Sequence, residues 1–371
     1  MSNIDRKIDA WQNKLLDLGK RNRLLNYRDT KRSNLRILKP DFSEMWESFV
    51  LDEKPLEFPY YDDFDAISES DEGTGLPREA FVATNQPIKD QQKTLRNLRN
   101  KAKIVMEEQG VNVLYLAFGF LKWTEAGHSE YPLQSPIVLV PVSLSWESIT
   151  SPFILSLHED EIVINPTLIY KLENDFGITF PPFDADQPVD GILSGIEKIV
   201  AHNGWEVKRE IGLSLFSFLK INMYRDMEQH RDAILDNKIV RALCGDVTAI
   251  DRSAIDIADG YDHDHRELPS EVFQVVDADS SQQDAILCAK KGLSFILQGP
   301  PGTGKSQTIT NIIAECLADG KKVLFVSEKM AALEVVRRRL DMAGLGDFCL
   351  TLHSYKATKR RSCNSFGIHS I

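Results

Sequence analysis

The sequence predicts an α/β protein, in which an N-terminal α+β region is followed by a strand–loop–helix unit. Two observations predict this fold class. Helix-period and strand-period apolar patterns alternate through the first two-thirds of the chain, and a glycine-rich loop between an apolar strand and a helix stands in the last third. A length of 371 residues suggests two or three domains. We expect domains at 1–245 and 276–371, joined by an acidic linker at 246–275.

Composition and charge exclude several classes of protein. Hydrophobic residues make up 42% of the chain, enough for a core, and the longest unbroken apolar run, 113–121, is about half the length of a membrane span. The first twenty residues mix charges with Leu and Trp and contain no apolar signal core. The five cysteines stand apart without a C-x-x-C pair, which is typical of a reducing compartment. We therefore expect a cytoplasmic protein with no membrane partner.

The formal net charge of -11 is distributed unevenly along the chain. Residues 1–40 hold eleven Lys/Arg and four Asp, a net of +7, whereas residues 41–80 hold two Lys/Arg and thirteen Asp/Glu, a net of -11. A basic segment of this kind is typical of a contact with a phosphate backbone. Pairing with the acidic segment that follows it is an equal alternative. The average charge therefore does not exclude a nucleic-acid partner.

Apolar spacing predicts the elements of the N-terminal region in order. An amphipathic helix is predicted over 4–25, from a stripe formed by Ile4, Ile8, Trp11, Leu15, Leu18 and Leu25. Asn165 followed by Pro166 predicts another helix start, because Asn caps a helix and Pro suits its first turn. Further helices are predicted at 91–109, near 189–202 and near 218–236. Strands are predicted at 135–146, twice within 153–164, and near 205–218.

The glycine-rich loop carries the strongest motif in the chain. A strand predicted at 293–298 runs into Gly299, Pro300, Pro301, Gly302, Thr303, Gly304, Lys305 and Ser306, which match G-x-x-x-x-G-K-[ST]. A helix predicted over 308–317 follows. In such a loop the backbone N–H groups surround phosphate oxygens at a helix N-terminus, the Lys reaches the β- and γ-phosphates, and the Ser ligates Mg²⁺. We predict a nucleotide site at residues 299–307, including Gln307, with Ser306 as the Mg²⁺ ligand.

Two flanking segments add candidates to this site. Gln282 precedes the predicted strand, and a glutamine amide pairs with adenine by accepting from the N6 amine and donating to N7. A second strand is predicted at 322–326, followed by Ser327, Glu328, Lys329 and a helix through Leu340. This second strand is not assigned as a Mg²⁺-holding Walker B strand. Ser327 stands where the acid is needed, and the strand lies only about twenty residues past the loop.

These motifs resemble those of superfamily 1 helicases. Ser281-Gln282-x-x-Ala285-Ile286 upstream of the loop resembles their Q-motif, the loop resembles motif I, and residues 322–329 resemble motif Ia. The resemblance implies a RecA-like domain that uses ATP with Mg²⁺. It also implies Ser327 and Lys329 as contacts for the backbone of a single strand. A helix-capping Ser and a solvated Lys are the equally weighted alternative for this pair.

The N-terminal region carries a resemblance of its own. It is similar to the uncharacterised N-terminal domain of a bacterial family of large helicase-like proteins, in segments 11–29 (WQNKLLDLGKRNRLLNYRD), 108–125, 135–141, 165–180 and 215–226. In that family the domain precedes a helicase core, and some members end in an endonuclease-like domain and belong to phage-defence loci. The resemblance implies single-stranded nucleic acid, either DNA or RNA, as a partner. It implies a nuclease domain or subunit as a second partner.

The segment after the loop lacks the parts that ATP hydrolysis needs. Only 371 minus 306, or 65, residues follow Ser306, and no apolar run among them ends in the Asp-Glu that would hold Mg²⁺. Residues 360–367 also leave the helical pattern of the family. We expect a chain truncated after motif Ia that binds ATP with weak or no turnover, and we assign no catalytic residue.

Two alternatives remain open at this point. One is a nucleic-acid or partner-binding module of a defence-type system without ATPase activity, and the other is a AAA+ ATPase, which shares the loop. His263 and His265 form an H-x-H pair in the acidic linker, but no third ligand has suitable spacing, so we expect no metal site there.

Overall fold

The computed structural model describes residues 3–30, 32–59, 82–125, 131–148, 151–185, 187–246, 248–250, 268–300 and 302–352. The acidic segment at 60–81, the linker residues 251–267 with His263 and His265, and residues 353–371 lie outside this description. The chain divides into two compact units. The N-terminal unit comprises residues 9–106 and 111–230, and the C-terminal unit comprises residues 231–371 with 1–8 and 107–110.

An antiparallel sheet forms the centre of the N-terminal unit. Its strands lie in the order β2-β6-β5-β4-β8-β1-β3, with β7 beside β5, and every neighbouring pair is antiparallel. An antiparallel sheet flanked by helices is an α+β architecture, as predicted. The strands are β1 Asn34–Lys39, β2 Leu56–Phe58, β3 Ala83–Thr84, β4 Leu114–Trp123, β5 Leu133–Ser145, β6 Phe153–Leu157, β7 Val163–Ile164 and β8 Glu206–Leu215.

Helices flank the sheet and make up the C-terminal unit. The first six are α1 Asn3–Leu15, α2 Phe42–Met45 with a π-helical turn Trp46–Leu51, α3 Ile88–Gln109, α4 Pro166–Phe176, α5 Val189–Val200 and α6 Leu219–Gln229. The rest are α7 Arg231–Asp236, α8 Lys238–Leu243, α9 Ser280–Lys290, α10 Lys305–Ala318 and α11 Met330–Met342. Among the described residues, no helix has both the length and the apolar character to cross a membrane.

Most predicted N-terminal elements are confirmed. Helix α3, strands β5, β6, β7 and β8, and helix α5 stand where the patterns predicted them. Asn165 caps α4, because its Oδ1 accepts from Thr167 N at 3.1 Å and Leu168 N at 3.2 Å. Sequence reasoning missed β4, although 113–121 was its longest apolar run. Strand β4 is buried along nearly its whole length, so its sequence lacks the alternation that marks a half-exposed strand.

Two predicted helices were too long. Helix α1 ends at Leu15, whereas the stripe predicted a helix to Leu25. Asp17 Oδ1 accepts from Gly19 N at 3.3 Å, and Asn22 Nδ2 donates to Asp17 O at 2.6 Å, so local side-chain bonds replace the helical ones. The helix predicted near 218–236 breaks into α6 and α7 at His230, whose φ of -106° and ψ of 21° leave the helical region.

Gly119 fixes how closely helix α5 packs on the sheet. It lies at an irregularity in β4 between Phe118 and Phe120 and has a φ of +75°, a region that favours glycine. A Cβ at this position would lie 2.7 Å from both methyl carbons of Leu193 on α5. Leu193 therefore packs against the backbone of the central strand itself.

Substituting this glycine should destabilise the N-terminal unit. We expect Gly119→Ala to lower the free energy of unfolding by about 2 kcal/mol or more, because it adds a clash to a strained φ. Gly195→Ala is the matched control, since a Cβ at Gly195 on α5 meets nothing within 4 Å, and it should stabilise by about 0.5–1 kcal/mol. Urea denaturation followed by tryptophan fluorescence measures the free energy of unfolding of both variants. Equal changes in Gly119→Ala and Gly195→Ala would contradict this packing.

Candidate nucleotide site

The glycine-rich loop has a backbone that depends on its glycines. Gly302 has a φ of +91° and Gly304 a φ of +77°, both in the left-handed region. A Cβ on Gly304 would lie 2.3 Å from Gln282 Nε2 and 2.9 Å from Gln307 Oε1. A Cβ on Gly299 would lie 2.5 Å from Thr303 Oγ1. A side chain at Gly299 or Gly304 would therefore displace the ends of neighbouring side chains, and at Gly302 and Gly304 it would also strain the backbone.

Lys305 places its charge inside the loop at the start of α10. Its Nζ donates to the carbonyl oxygen of Gly299 and, at 2.7 Å, to that of Pro300. Thr303 Oγ1 also donates to Pro300 O, at 2.9 Å. The N-terminus of a helix carries a partial positive charge, and here the ammonium group adds to it. The combination favours an anion at this end of α10. Pro301, the other proline of the motif, lies outside the described residues.

Gln282 joins helix α9 to the loop. Asp279 and Gln282 form a capping box at the start of α9, in which Gln282 N donates to Asp279 Oδ1 at 2.9 Å and Gln282 Oε1 accepts from Asp279 N at 3.2 Å. Gln282 Nε2 donates to Thr303 O at 3.2 Å. An amide group has two N–H donors and two lone pairs on its oxygen. One N–H donor and one oxygen lone pair of the Gln282 amide therefore remain available after these contacts.

Two buried polar residues of α10 hold the segment that leads into α9. Sequence reasoning had not identified either of them. Asn311 Oδ1 accepts from Val275 N at 2.9 Å and from Val276 N at 3.1 Å, and its Nδ2 donates to Val276 O at 2.8 Å. Glu315 Oε1 accepts from Phe273 N at 2.7 Å. The two side chains lie four residues apart on one face of the helix, at 0% and 2% exposure. That spacing, among the apolar positions of α10, is the signal that sequence reasoning overlooked.

Lys290 completes these contacts from α9. Its Nζ lies 2.8 Å from Glu315 Oε2, and it also donates to the carbonyl oxygen of Glu271. The side chain of Glu315 is 3% exposed and that of Lys290 is 22% exposed. A buried carboxylate paired in this way fixes position more than it adds net stability. Helix α10 therefore holds α9, and with it Gln282, beside the loop.

The predicted strands on either side of α10 are absent, which corrects the sequence prediction. Neither 293–298 nor 322–326 forms a β-strand, and all strands among the described residues belong to the N-terminal unit. Ile296 and Leu324 are each 79% exposed, and Val326 is 75% exposed. A strand is stabilised by pairing, and within the described chain neither segment has a ladder partner. Helices α10 and α11 confirm the predicted helices and pack together through Ile313, Val336 and Leu340.

The second group of predicted residues, Ser327 and Lys329, lies at the start of α11. Ser327 Oγ accepts from Lys329 N at 3.2 Å and donates to Lys329 O at 3.3 Å, so its described contacts lie within its own turn. The side chain of Lys329 is exposed. The N-cap residue of α11 is Lys329, without a side-chain cap bond, so Ser327 closes a turn and does not cap the helix. The strand contacts implied for Ser327 and Lys329 stay a prediction.

Cys288 on α9 has the properties of a structural thiol. Burial raises the pKa of the Cys288 thiol, the nearby Asp284 carboxylate raises it further, and Lys291 opposes the shift. A thiol with a raised pKa stays protonated at neutral pH and is a weak nucleophile. Cys288 therefore contributes packing to α9 rather than covalent chemistry.

The residue predicted to ligate Mg²⁺, Ser306, lies on the first turn of α10 next to Lys305. In the described part of the chain, no group of three or more His, Cys, Asp or Glu side chains is placed to hold a metal ion. Magnesium usually binds through one or two protein oxygens together with substrate phosphates, and a serine hydroxyl is such an oxygen. The role of Ser306 as a Mg²⁺ ligand stays a prediction. A glycine-rich loop that leads into a helix beginning with Lys and Ser defines the P-loop class of nucleotide-binding proteins.

Comparison with known proteins identifies the family. Residues 14–172 match a family described as protein of unknown function (DUF4011), and residues 277–360 match an AAA domain. The uncharacterized ATP-dependent helicase MG140 of Mycoplasma genitalium is 30% identical over 281 residues, which cover 70% of this chain and 24% of that protein. Its homolog in Mycoplasma pneumoniae is 26% identical over 283 residues, which cover 71% and 25%. No solved structure matches.

These matches place the chain among superfamily 1 helicase-like proteins that carry a DUF4011 N-terminal domain. The C-terminal segment accordingly carries a P-loop within a helicase-like AAA domain. The chain spans about a quarter of the length of the two curated relatives.

Removing the Asn311 side chain should release the segment that precedes α9. We expect Asn311→Ala to lower the free energy of unfolding of the C-terminal unit by about 1 kcal/mol or more, because three half-buried backbone groups lose their partner. Hydrogen exchange of the amides of Val275 and Val276 should accelerate. Asn100→Ala, at an exposed Asn of α3, is the matched control and should change neither quantity. Unchanged exchange in Asn311→Ala would contradict the proposed contacts.

Proposed function

We propose that residues 276–371 form an ATP-binding segment of a motor that couples ATP hydrolysis to movement on DNA or RNA, with residues 1–245 as an accessory domain and 246–275 as the linker between them. The observation that carries the proposal is the position of Lys305. Its ammonium group lies inside a narrow glycine loop at the positive end of α10. The names of the two relatives, both ATP-dependent helicases, support the same function.

Each residue of the site has a distinct task in this proposal. The N–H groups of 302–306 face the phosphates, and Lys305 exchanges the carbonyls of Gly299 and Pro300 for the β- and γ-phosphate oxygens. Ser306 holds Mg²⁺, which when bound neutralises phosphate charge. Gln282 uses its remaining donor and acceptor to pair with N7 and the N6 amine of adenine. Its contact with Thr303 links the base to the phosphate loop.

Nucleic acid is the proposed substrate of the motor. Lys329, exposed at the start of α11, is proposed to contact a phosphate of the strand, with Ser327 in the same turn. An ammonium group on an exposed turn binds phosphate as a point charge. DNA and RNA share this backbone chemistry.

Binding of nucleotide tests the central claim. We expect Lys305→Ala to weaken binding of a fluorescent ATP analogue by about tenfold or more, because a charge-assisted contact to phosphate is lost. Ser306→Ala should remove the dependence of that affinity on Mg²⁺. The matched control is Lys322→Ala, at an exposed lysine after α10, which should bind as the unchanged protein does. Equal affinity in the Lys305 and Lys322 variants would overturn the assignment.

Turnover by the 371-residue polypeptide is a separate test. Phosphoryl transfer needs a carboxylate for Mg²⁺ and a cation for the γ-phosphate, and after the loop this sequence has no apolar run that ends in Asp-Glu. We expect phosphate release well below about 1 per second, the low end of typical enzymes. A colorimetric phosphate assay measures it. Release at a faster rate that is lost in Lys305→Ala would show that these residues suffice for hydrolysis.

A further inference from the structure

We propose that the exposed face of helix α3, together with Arg32 and Trp146, is a binding surface for single-stranded nucleic acid. The proposal rests on the proposed function, because it assigns a second contact for the same substrate, in the N-terminal unit. We call this set of residues the α3 surface. Its members are Arg32, Lys93, Arg96, Arg99 and Trp146.

Helix α3 divides sharply into a buried face and a basic face. Leu95 and Leu98 are completely buried, and Gln91 and Thr94 are each 1% exposed. Residues 91–106 hold five Lys/Arg and no Asp/Glu. Over 16 residues an α-helix extends about 24 Å. Helix α3 therefore presents a basic face over that length, in which Lys93 Nζ lies 3.5 Å from the Asp90 carboxylate at the start of the helix.

Trp146 orders the two arginines of this stripe. The guanidinium carbon of Arg96 lies 5.0 Å from the centroid of the Trp146 ring, and that of Arg99 lies 5.6 Å from it. The Trp146 ring in turn stacks on buried Phe153, with centroids 4.9 Å apart and an interplanar angle of 12°. A guanidinium group held on an aromatic ring keeps its N–H edge available and loses less freedom on binding phosphate. The stack therefore pre-organises both arginines.

The charges of this stack are not used in ion pairs. In the part of the chain that the structure describes, neither Arg96 nor Arg99 has a carboxylate within 4.0 Å, and their ordered contact is the ring of Trp146. Arg96 is exposed and Arg99 is half-buried. A purely structural role would be satisfied by apolar packing on Trp146 and does not require two cations there.

A second basic segment meets α3 at its middle. Asn97 Nδ2 donates to the carbonyl oxygen of Arg32 at 2.6 Å, so the exposed Arg32 lies beside α3. Arg32 belongs to the stretch 1–40, whose net charge is +7. One arginine of this basic stretch therefore lies beside α3. Convergent positive charge of this kind matches the polyanionic backbone of nucleic acid.

The stacked arginines favour a single strand over a duplex. An unpaired base can lie on the outer plane of a guanidinium group, as bases do on Arg and aromatic planes in single-strand complexes. In a duplex the base faces are already stacked on each other and present only their edges. The α3 surface offers both guanidinium planes for unpaired bases and N–H edges for phosphates.

A binding titration tests the proposal. The whole 371-residue chain is added to a fluorescein-labelled 20-nucleotide oligo(dT), and fluorescence polarisation is measured at a series of salt concentrations. For Arg96→Gln/Arg99→Gln we expect weaker binding, with the slope of log affinity against log salt smaller by about 1.4, or about 0.7 for each lost phosphate contact. The matched control is Lys198→Gln/Lys220→Gln, which removes the same charge from exposed lysines on α5 and α6 and should bind as the unchanged chain does.

A charge-preserving variant separates stacking from charge alone. Arg96→Lys/Arg99→Lys should restore the salt slope but not the full affinity, because lysine neither forms a planar fork nor stacks as well. Thermal unfolding by circular dichroism confirms that each variant is folded. Equal loss of affinity in the control variant, or tighter binding of a duplex of the same length, would overturn the proposal. Equal affinity for polyglutamate would also overturn it, in favour of an acidic protein partner.

The oligonucleotide-binding experiment and the nucleotide-binding experiment test the two proposals independently. If the unchanged chain binds the fluorescent ATP analogue but no oligonucleotide at low salt, the α3 surface is wrong and the nucleotide site stands. If Lys305→Ala leaves nucleotide binding intact while Arg96→Gln/Arg99→Gln loses the strand, the nucleotide site is wrong and the α3 surface stands.

Discussion

The geometry of the nucleotide site depends on the hydrogen bonds made from the buried face of α10 by Asn311 and Glu315. Helix α10 carries the loop at its N-terminus, and these two side chains bind the segment 273–276 at its middle. That segment leads into α9, which begins with the capping box of Asp279 and Gln282. One helix thus fixes both the residues placed for phosphate and the residue placed for the base.

Burial makes these bonds specific. A polar group without a partner in the protein interior costs about 1–3 kcal/mol, so the buried side chains of Asn311 and Glu315 favour the position in which segment 273–276 satisfies them. Among the described residues of the C-terminal unit, an apolar cluster of Ile313, Val336 and Leu340 joins α10 to α11, and Ile286 of α9 is also buried. Several apolar residues of 293–298 and 322–326 are exposed. The polar contacts of α10 therefore add to this packing in positioning the loop.

The N-terminal unit is built on the opposite principle. Its central strands β4 and β5 are buried along most of their length and pair with each other in an antiparallel ladder. Helices such as α3 and α5 cover this sheet with apolar faces and turn their charged residues outward. A rigid sheet gives the α3 surface a fixed support, because Trp146 directly follows β5 and Phe153 begins β6. The unit thus presents a patterned surface on a stable core, which suits an accessory binding domain.

The sequence by itself determined the features that are local. The phosphate loop, the start of α10, the cap at Asn165 and most N-terminal helices and strands follow from short motifs and periodicity, because a few neighbouring residues decide them. Tertiary structure alone decided the end of α1 at Leu15, the burial of β4, and the loss of the strands predicted beside the loop. It also decided the meeting of Arg32 with α3 and the bonds of Asn311 and Glu315. Each of these depends on partners distant in sequence, and pairing, burial and charge convergence are properties of the folded chain rather than of any segment.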